Sequence, residues 1–402
     1  MRKIASMTVM ALMTLVLLTP SFSRKKIEVW CTDKEVAGLE PVARQFRRTN
    51  KVEVDIVVQA EVRSKYMQAA IAKTGPDIVV GAHDWVGQLA KNGVIAEVNL
   101  SDKDKNKYFP VSIDGFTYNG RLYGVPYCVE SLVLFYNKKL IKTPPSTWEE
   151  VLSVAKGMTK DGKYGFLYGI DNNFYNNFPI IGSQGGYIFK WVNGKYDILD
   201  VGLDTPGAID ANKFIYRFVQ EGVVPASTNN GIVISNFKEG KVAMIMDGPW
   251  NTLDFVNSMG ADVVGATKLP TLKGKKSVPF VGARGFMINS ASRYQAEARE
   301  FIIKFAGEKD GQIAMYRAGG RPPAHLEACD VAMKENEFIK TVVESVKDGI
   351  SMPNVRAMSV VWNYAAGMID KYKTGEQTVE NAVKTAVSTI KQDLSGNPSR
   401  FE

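Results

Sequence analysis

Leu39, Val42, Ala43 and Phe46 recur at i, i+3, i+4 and i+7, so the segment after Cys31 predicts a helix with one apolar stripe on a core. A strand, Ile27 to Cys31, precedes it. Behind it Val52, Val54, Ile56 and Val58 alternate with mostly polar neighbours, the pattern of a half-buried strand. Arg63 to Lys73 reads as a helix and Asp77 to Val80 as a short buried strand. This rhythm predicts an α/β domain with a mainly parallel sheet, and such sheets bind ligands beyond the carboxyl ends of their strands. The positions just after Trp30 and Val80 are therefore the ones to watch.

The rhythm breaks at Tyr118-Asn119-Gly120-Arg121, a hairpin-like turn, and resumes with an apolar strand, Leu132 to Tyr136. Thr147, with Glu150 three residues on, predicts a capping box that opens a helix. Tyr164 to Tyr196, rich in Gly, Asn and aromatics, predicts the least regular stretch. A helix follows at Gly207 to Glu221, a strand at Val242 to Met246, a helix from Trp250 and a strand at Phe286 to Ile288. The last hundred residues read as mostly helical, with segments at Ala291 to Ala306, Asn336 to Val346, Val355 to Lys371 and Gln377 to Leu394. There is no internal repeat and no low-complexity linker. Two domains joined by more than one crossover fit that better than a tandem pair.

The first 23 residues stand apart. Arg2 and Lys3 precede an apolar run, Ile4 to Leu18, and Ser21 and Ser23 supply the small residues of a cleavage site. The run is shorter than the roughly 20 residues of a membrane span, so it predicts a signal peptide cleaved after Ser23. No lipid-attachment Cys follows, which suits a soluble periplasmic protein. Without the leader and its two cations the chain has 379 residues and a formal charge of +6 rather than +8. At 45% hydrophobic and 23% charged, it is neither disordered nor polytopic. Its dense basic clusters, Arg24-Lys25-Lys26 and Lys273-Gly274-Lys275-Lys276, read as solvated surface, and no nucleic-acid partner is expected. Cys31, Cys128 and Cys329 are odd in number and read as buried thiols. His83 and His325 lie far apart, no metal-ligand or nucleotide motif occurs, and neither metal nor cofactor is expected.

Acids and aromatics gather at predicted strand ends. Asp33-Lys34 follows the first strand, His83-Asp84-Trp85 the third; Glu130 precedes an apolar strand, Trp250 closes Asp247-Gly248-Pro249-Trp250, and Trp362 lies inside a helix. Carboxylates accept hydrogen bonds from hydroxyls and aromatic faces pack on sugar C–H faces, so the set suits a carbohydrate site. The alternatives are plain: Asp33 as a helix cap, Glu130 as a solvated charge, Trp250 and Trp362 as core.

Seven segments carry a resemblance: KTGPDIVVGAHDW, YNGRLYGVPYCVESLVLFYNKKLI, PPSTWEE, GGYIFKWVNGKYDI, FKEGKVAMIMDGPW, PFVGARGFMINSAS and MPNVRAMSVVW. They resemble, in order and over nearly all of the chain beyond the leader, the maltose/maltodextrin-binding proteins, periplasmic solute-binding proteins of ABC importers (extracellular solute-binding protein family 1). The resemblance implies a type II periplasmic-binding fold: two α/β lobes, each a mainly parallel sheet flanked by helices, joined by a hinge of several crossing segments. One lobe would comprise 24–128 plus 282–328, the other 129–281 plus 329–402. Closure on the ligand would present the protein, a monomer, to a membrane permease. Asp33 and Lys34 match the family's pair that contacts sugar hydroxyls, Asp84 and Glu130 match two acceptor carboxylates, and Tyr175, Trp250 and Trp362 match aromatics of the other wall.

The departures matter as much. Gly81 stands where the family has a stacking Trp, and Trp85 where it has an Arg; Trp85 is therefore read as a replacement aromatic face, its alternative being a core residue under the helix. Asn173 replaces a Glu, Asn363 a Tyr and Ala366 an Arg. The expected ligand is thus maltose, maltodextrin or a related oligosaccharide. A different sugar or a sugar phosphate is the alternative on the same fold. A secreted glycosidase using Asp84 and Glu130 is the rival from another class, and the chain is expected not to be an enzyme.

Overall fold

The computed structural model describes residues 25–193, 195–396, 398 and 401; the leader expected over 1–23 lies outside them. The opening rhythm is present as read. Strand β1 (Lys26–Cys31) leads into helix α1 (Asp33–Asn50), then β2 (Glu53–Val58), α2 (Val62–Ile71) and β3 (Ile78–Ala82). β1 pairs in parallel with both β2 and β3. The stripe Leu39, Val42, Ala43 and Phe46 is the buried face of α1.

The chain then builds β4 (Val125–Glu130), β5 (Val133–Asn137), β6 (Tyr164–Leu167), helix α3 (Phe174–Ser183), β7 (Val242–Asp247) and β8 (Val264–Thr267). A ten-residue strand, β9 (Phe280–Asn289), follows, then helix α4 (Lys309–Gly319), the short β10 (Ile350–Ser351) and helix α5 (Met358–Lys373). The first sheet runs β10-β9-β3-β1-β2, with β4 also on β9, and the second runs β8-β5-β7-β6.

The α/β class is the one expected, but the sheets are mixed. β9 is antiparallel to both β3 and β4, and β5 is antiparallel to both β7 and β8. The reason is connectivity: β9 enters the first sheet from the second and so runs against strands delivered by helical crossovers. Two further differences concern 164–196 and 280–289. The former holds β6 and α3 where an irregular stretch was expected, with Pro179 inside the helix. The latter is one long strand, of which only Phe286 to Ile288 was readable, because Gly282 and Gly285 break the apolar pattern.

Two large hydrophobic cores result. One gathers residues between Ile27 and Val129 with Val281 to Val346, the other Leu132 to Phe280 with Val342 to Leu394. A small third cluster, Tyr316, Cys329, Ala332, Ile339 and Val343, stands with helices 326–335 and 337–348. The chain passes between the large cores at 129–132, at 280–281 and around 342–352. The first two lie at strand ends, and the third runs through the helix 337–348 and the short β10. No described helix is long and apolar enough to cross a membrane.

Candidate functional site

The crossings bring the ends of β1, β3, β4 and β7 to one region. α1 starts directly after β1: Thr32 is the N-cap, Glu35 closes the capping box, and Asp33 and Lys34 fill the first turn. Asp33 is thus exposed within the helix and is not its cap. The Lys34 ammonium lies 3.7 Å from Asp254, which belongs to the second-core side.

After β3 the chain makes a 3-10 turn, His83–Trp85. Asp84 is buried there, with an Arg63 guanidinium nitrogen 3.4 Å away. Trp85 is half-buried, and its ring lies over Gly81: a Cβ on Gly81 would sit 2.3 Å from two of its ring carbons. Arg63 also lies 5.8 Å from the centre of the Trp85 ring. The Trp85 ring thus occupies the space beside position 81, with the Arg63 guanidinium next to it. Nothing in the sequence distinguished Arg63 from any other helical arginine. His83 is structural: Ala283 N–H donates to its Nδ1 (3.0 Å), leaving Nε2–H for the Met352 carbonyl (2.8 Å).

Glu130 ends β4, over Gly282 of β9, and accepts from Arg321 Nε at 3.1 Å. Beyond Gly282 the β9 strand places Phe280 under an aromatic cluster. Phe280 stacks on Phe178 (3.9 Å between ring centres, 7° between planes) and against Tyr175 (5.8 Å, 29°), while Trp362 meets it edge-on at 5.8 Å. Trp250 lies 6.3 Å from Tyr175, folded back over Gly248. Tyr175, Trp250 and Trp362 are all half-buried and pack against the second core. Burial first, then the negative charges of Glu130, Asp247 and Asp84, hold the Tyr175 phenol well above its ordinary range.

Asp247, at the end of β7, was not singled out in the sequence. It accepts from Gly248 N–H and Asn251 Nδ2, each at 2.8 Å, and burial pushes its carboxyl up to about 6 against those bonds and the nearby Lys34. Asn173 caps α3, Tyr364 donates to Asp393 at 2.7 Å, Asn363 is exposed and Ala366 is buried. A cavity of about 690 Å³ lies elsewhere, lined by Asp114, Thr117 to Gly120, Trp191, Tyr196 and Met352 among others; it includes none of the expected binding residues. On the expected side the walls already touch, through Lys34 with Asp254 and through Leu253 against Gly320.

The fold is that of a two-lobed solute-binding protein, and the chain belongs to the bacterial extracellular solute-binding protein family, whose model matches residues 42–341. It is 30% identical over 385 residues to the galactooligosaccharide-binding protein of Bacillus subtilis (strain 168), covering 92% of this chain and 91% of that one. To the maltooligosaccharide ABC transporter solute-binding lipoprotein of Streptococcus pneumoniae serotype 4 it is 29% identical over 382 residues, covering 92% and 89%. To the maltotriose-binding protein of Pyrococcus abyssi it is 26% identical over 357 residues, covering 86% and 77%.

Proposed function

We propose that the chain is the exported, periplasmic binding component of an ABC importer, carried out by its first 23 residues, and that it captures maltose, maltodextrin or a related neutral oligosaccharide by lobe closure for delivery to the permease. The observation that carries this is the cluster of half-buried rings Tyr175, Trp250 and Trp362, with the charges of Glu130, Asp247 and Asp84 acting on Tyr175, Trp85 following Asp84, and exposed Asp33 and half-buried Lys34 opening α1. Half-buried rings offer stacking faces, and the carboxylates accept hydroxyl protons. The charge pattern favours a neutral ligand over a sugar phosphate. Lys34 faces Asp254, Arg63 faces Asp84 and Arg321 faces Glu130, so each cation already has its carboxylate. Asp84 and Glu130, each beside a guanidinium, suit the acceptance of hydroxyl hydrogen bonds.

Calorimetric titration with maltose, maltotriose and galactooligosaccharides tests this, with a reducing-sugar assay on the same mixtures. Saturable binding of α-glucosides without release of reducing ends is expected. Heat only with galactosides would replace the maltodextrin reading, silence with every sugar would end the oligosaccharide reading, and new reducing ends would revive the enzyme.

A further inference from the structure

Glu35 is more than a helix cap. Its side chain has 0% exposure, and a carboxylate taken that far out of water needs partners on both oxygens. It has them. Thr32 donates through N–H (2.9 Å) and hydroxyl to Oε2, while Tyr127 hydroxyl and Arg284 Nε each reach Oε1 at 2.9 Å. A second guanidinium, Arg321, stands 3.8 Å from the same Oε1.

Arg321 is 8% exposed and faces two carboxylates from different elements. Behind it is Glu35, in the turn that presents Asp33 and Lys34. In front is Glu130, whose Oε2 accepts from its Nε. Its own backbone is fixed independently of either. Gly320 turns the chain out of α4 at φ +71°, and Pro322 and Ala324 then run beside β4, with Val129 N–H donating to Pro322 (3.0 Å) and Ala324 N–H to Tyr127 (3.0 Å). A guanidinium held this way presents a rigid fork, which a lysine ammonium cannot reproduce.

We infer that Arg321 is a positioning residue for sugar recognition: backed by Glu35, it holds one oxygen of Glu130 and thereby fixes the other, above Gly282, as an acceptor for a ligand hydroxyl. The inference rests on the oligosaccharide-binding reading above.

The test is a cycle of affinities, measured by calorimetry with maltotriose and with a galactooligosaccharide. Wild type is titrated first, then Arg321→Met, Arg321→Lys and Glu130→Gln, and then each Arg321 substitution combined with Glu130→Gln. Arg321→Met is expected to weaken binding about tenfold or more, and Arg321→Lys, which keeps the charge and loses the fork, by about three- to tenfold. In the Glu130→Gln background both substitutions should change affinity less than about twofold, because Arg321 acts through Glu130. Melting curves show which variants fold. If Arg321→Met does not, the Arg321→Lys arm decides alone. Wild-type affinity in the Arg321 variants, or losses that add to that of Glu130→Gln, would overturn the inference while leaving the function standing. A wild type that binds neither sugar would overturn both.

Discussion

Gly81 and Trp85 share one piece of work between two positions. At 81 the absent side chain leaves room, and at 85 a ring fills it, one turn of chain later and with Arg63 beside it. The exchange was half legible: the missing ring and the nearby Trp are both visible in GAHDW, but the contact is not. Because the ring is half-buried and also packs beside the first core, the proposed stacking role would come on top of a contribution to the fold. Trp85→Ala should therefore weaken sugar binding about tenfold, the scale of a lost stacking face, and lower stability by about 1–3 kcal/mol. Gly81→Ala should act on the same ring from below, since its Cβ would collide with the indole. The combined variant should lose little more affinity than Trp85→Ala alone. Additive losses in calorimetry would show that the two positions do not share the face. Glu35, Arg63, Arg284 and Arg321 were illegible for a common reason. A charged residue on a helix or loop looks alike in sequence whether it is solvated or buried, and only long-range packing decides.

Elements were legible where local chemistry decides them. The Thr147–Glu150 box opens a helix as read, since both halves of the reciprocal bond lie within one turn. Helix α3 was not, because Asn, Gly and a mid-helix Pro179 argue against it while Phe174, Phe178 and Ile181, buried in the second core, argue for it and win. Strand β9 was cut short in the sequence by glycines whose purpose is close approach: a Cβ on Gly285 would meet the Phe116 ring at 2.6 Å. The end of β7 carries a cost that can be measured. Asp247 titrates near 6 in the folded protein, against about 4 in an unfolded chain. Between those values the folded protein holds a proton that the unfolded chain has released, so stability falls as pH rises through that window. Asp247→Asn should accordingly be more stable than wild type above pH 6, by up to about 2 kcal/mol, with the difference vanishing toward about pH 4. Denaturation midpoints at pH 4, 5, 6 and 7 check it. A constant offset across that range would place the effect in packing and not in the proton.

At the scale of the whole molecule, the absence of a linker pointed to multiple crossovers, and the described residues pass between the two large cores at three places, two at strand ends and one through a helix and the short β10. Their placement was not legible, since each is continuous with ordinary strand or helix sequence. The cores also meet across the site. Lys34, in the first turn of α1, faces Asp254, which takes Lys238 at 3.8 Å as well, and Leu253 packs beside Gly320. Asp254 is half exposed, so its pair with Lys34 contributes little to stability: exposed pairs are worth about 0–1 kcal/mol and weaken with salt. Because the pair spans the two halves, that small energy should appear in closure and not in unfolding. Asp254→Asn is expected to weaken oligosaccharide binding by up to about fivefold with an unchanged melting temperature. Raising the salt from about 50 to 500 mM should likewise weaken the wild type and scarcely affect the variant, because screening removes what the substitution has already removed. Small-angle scattering of the unliganded proteins adds a direct reading, a larger radius of gyration for Asp254→Asn. A variant that melts earlier yet binds as tightly as wild type would assign the pair to the fold of one half and not to the closure of two.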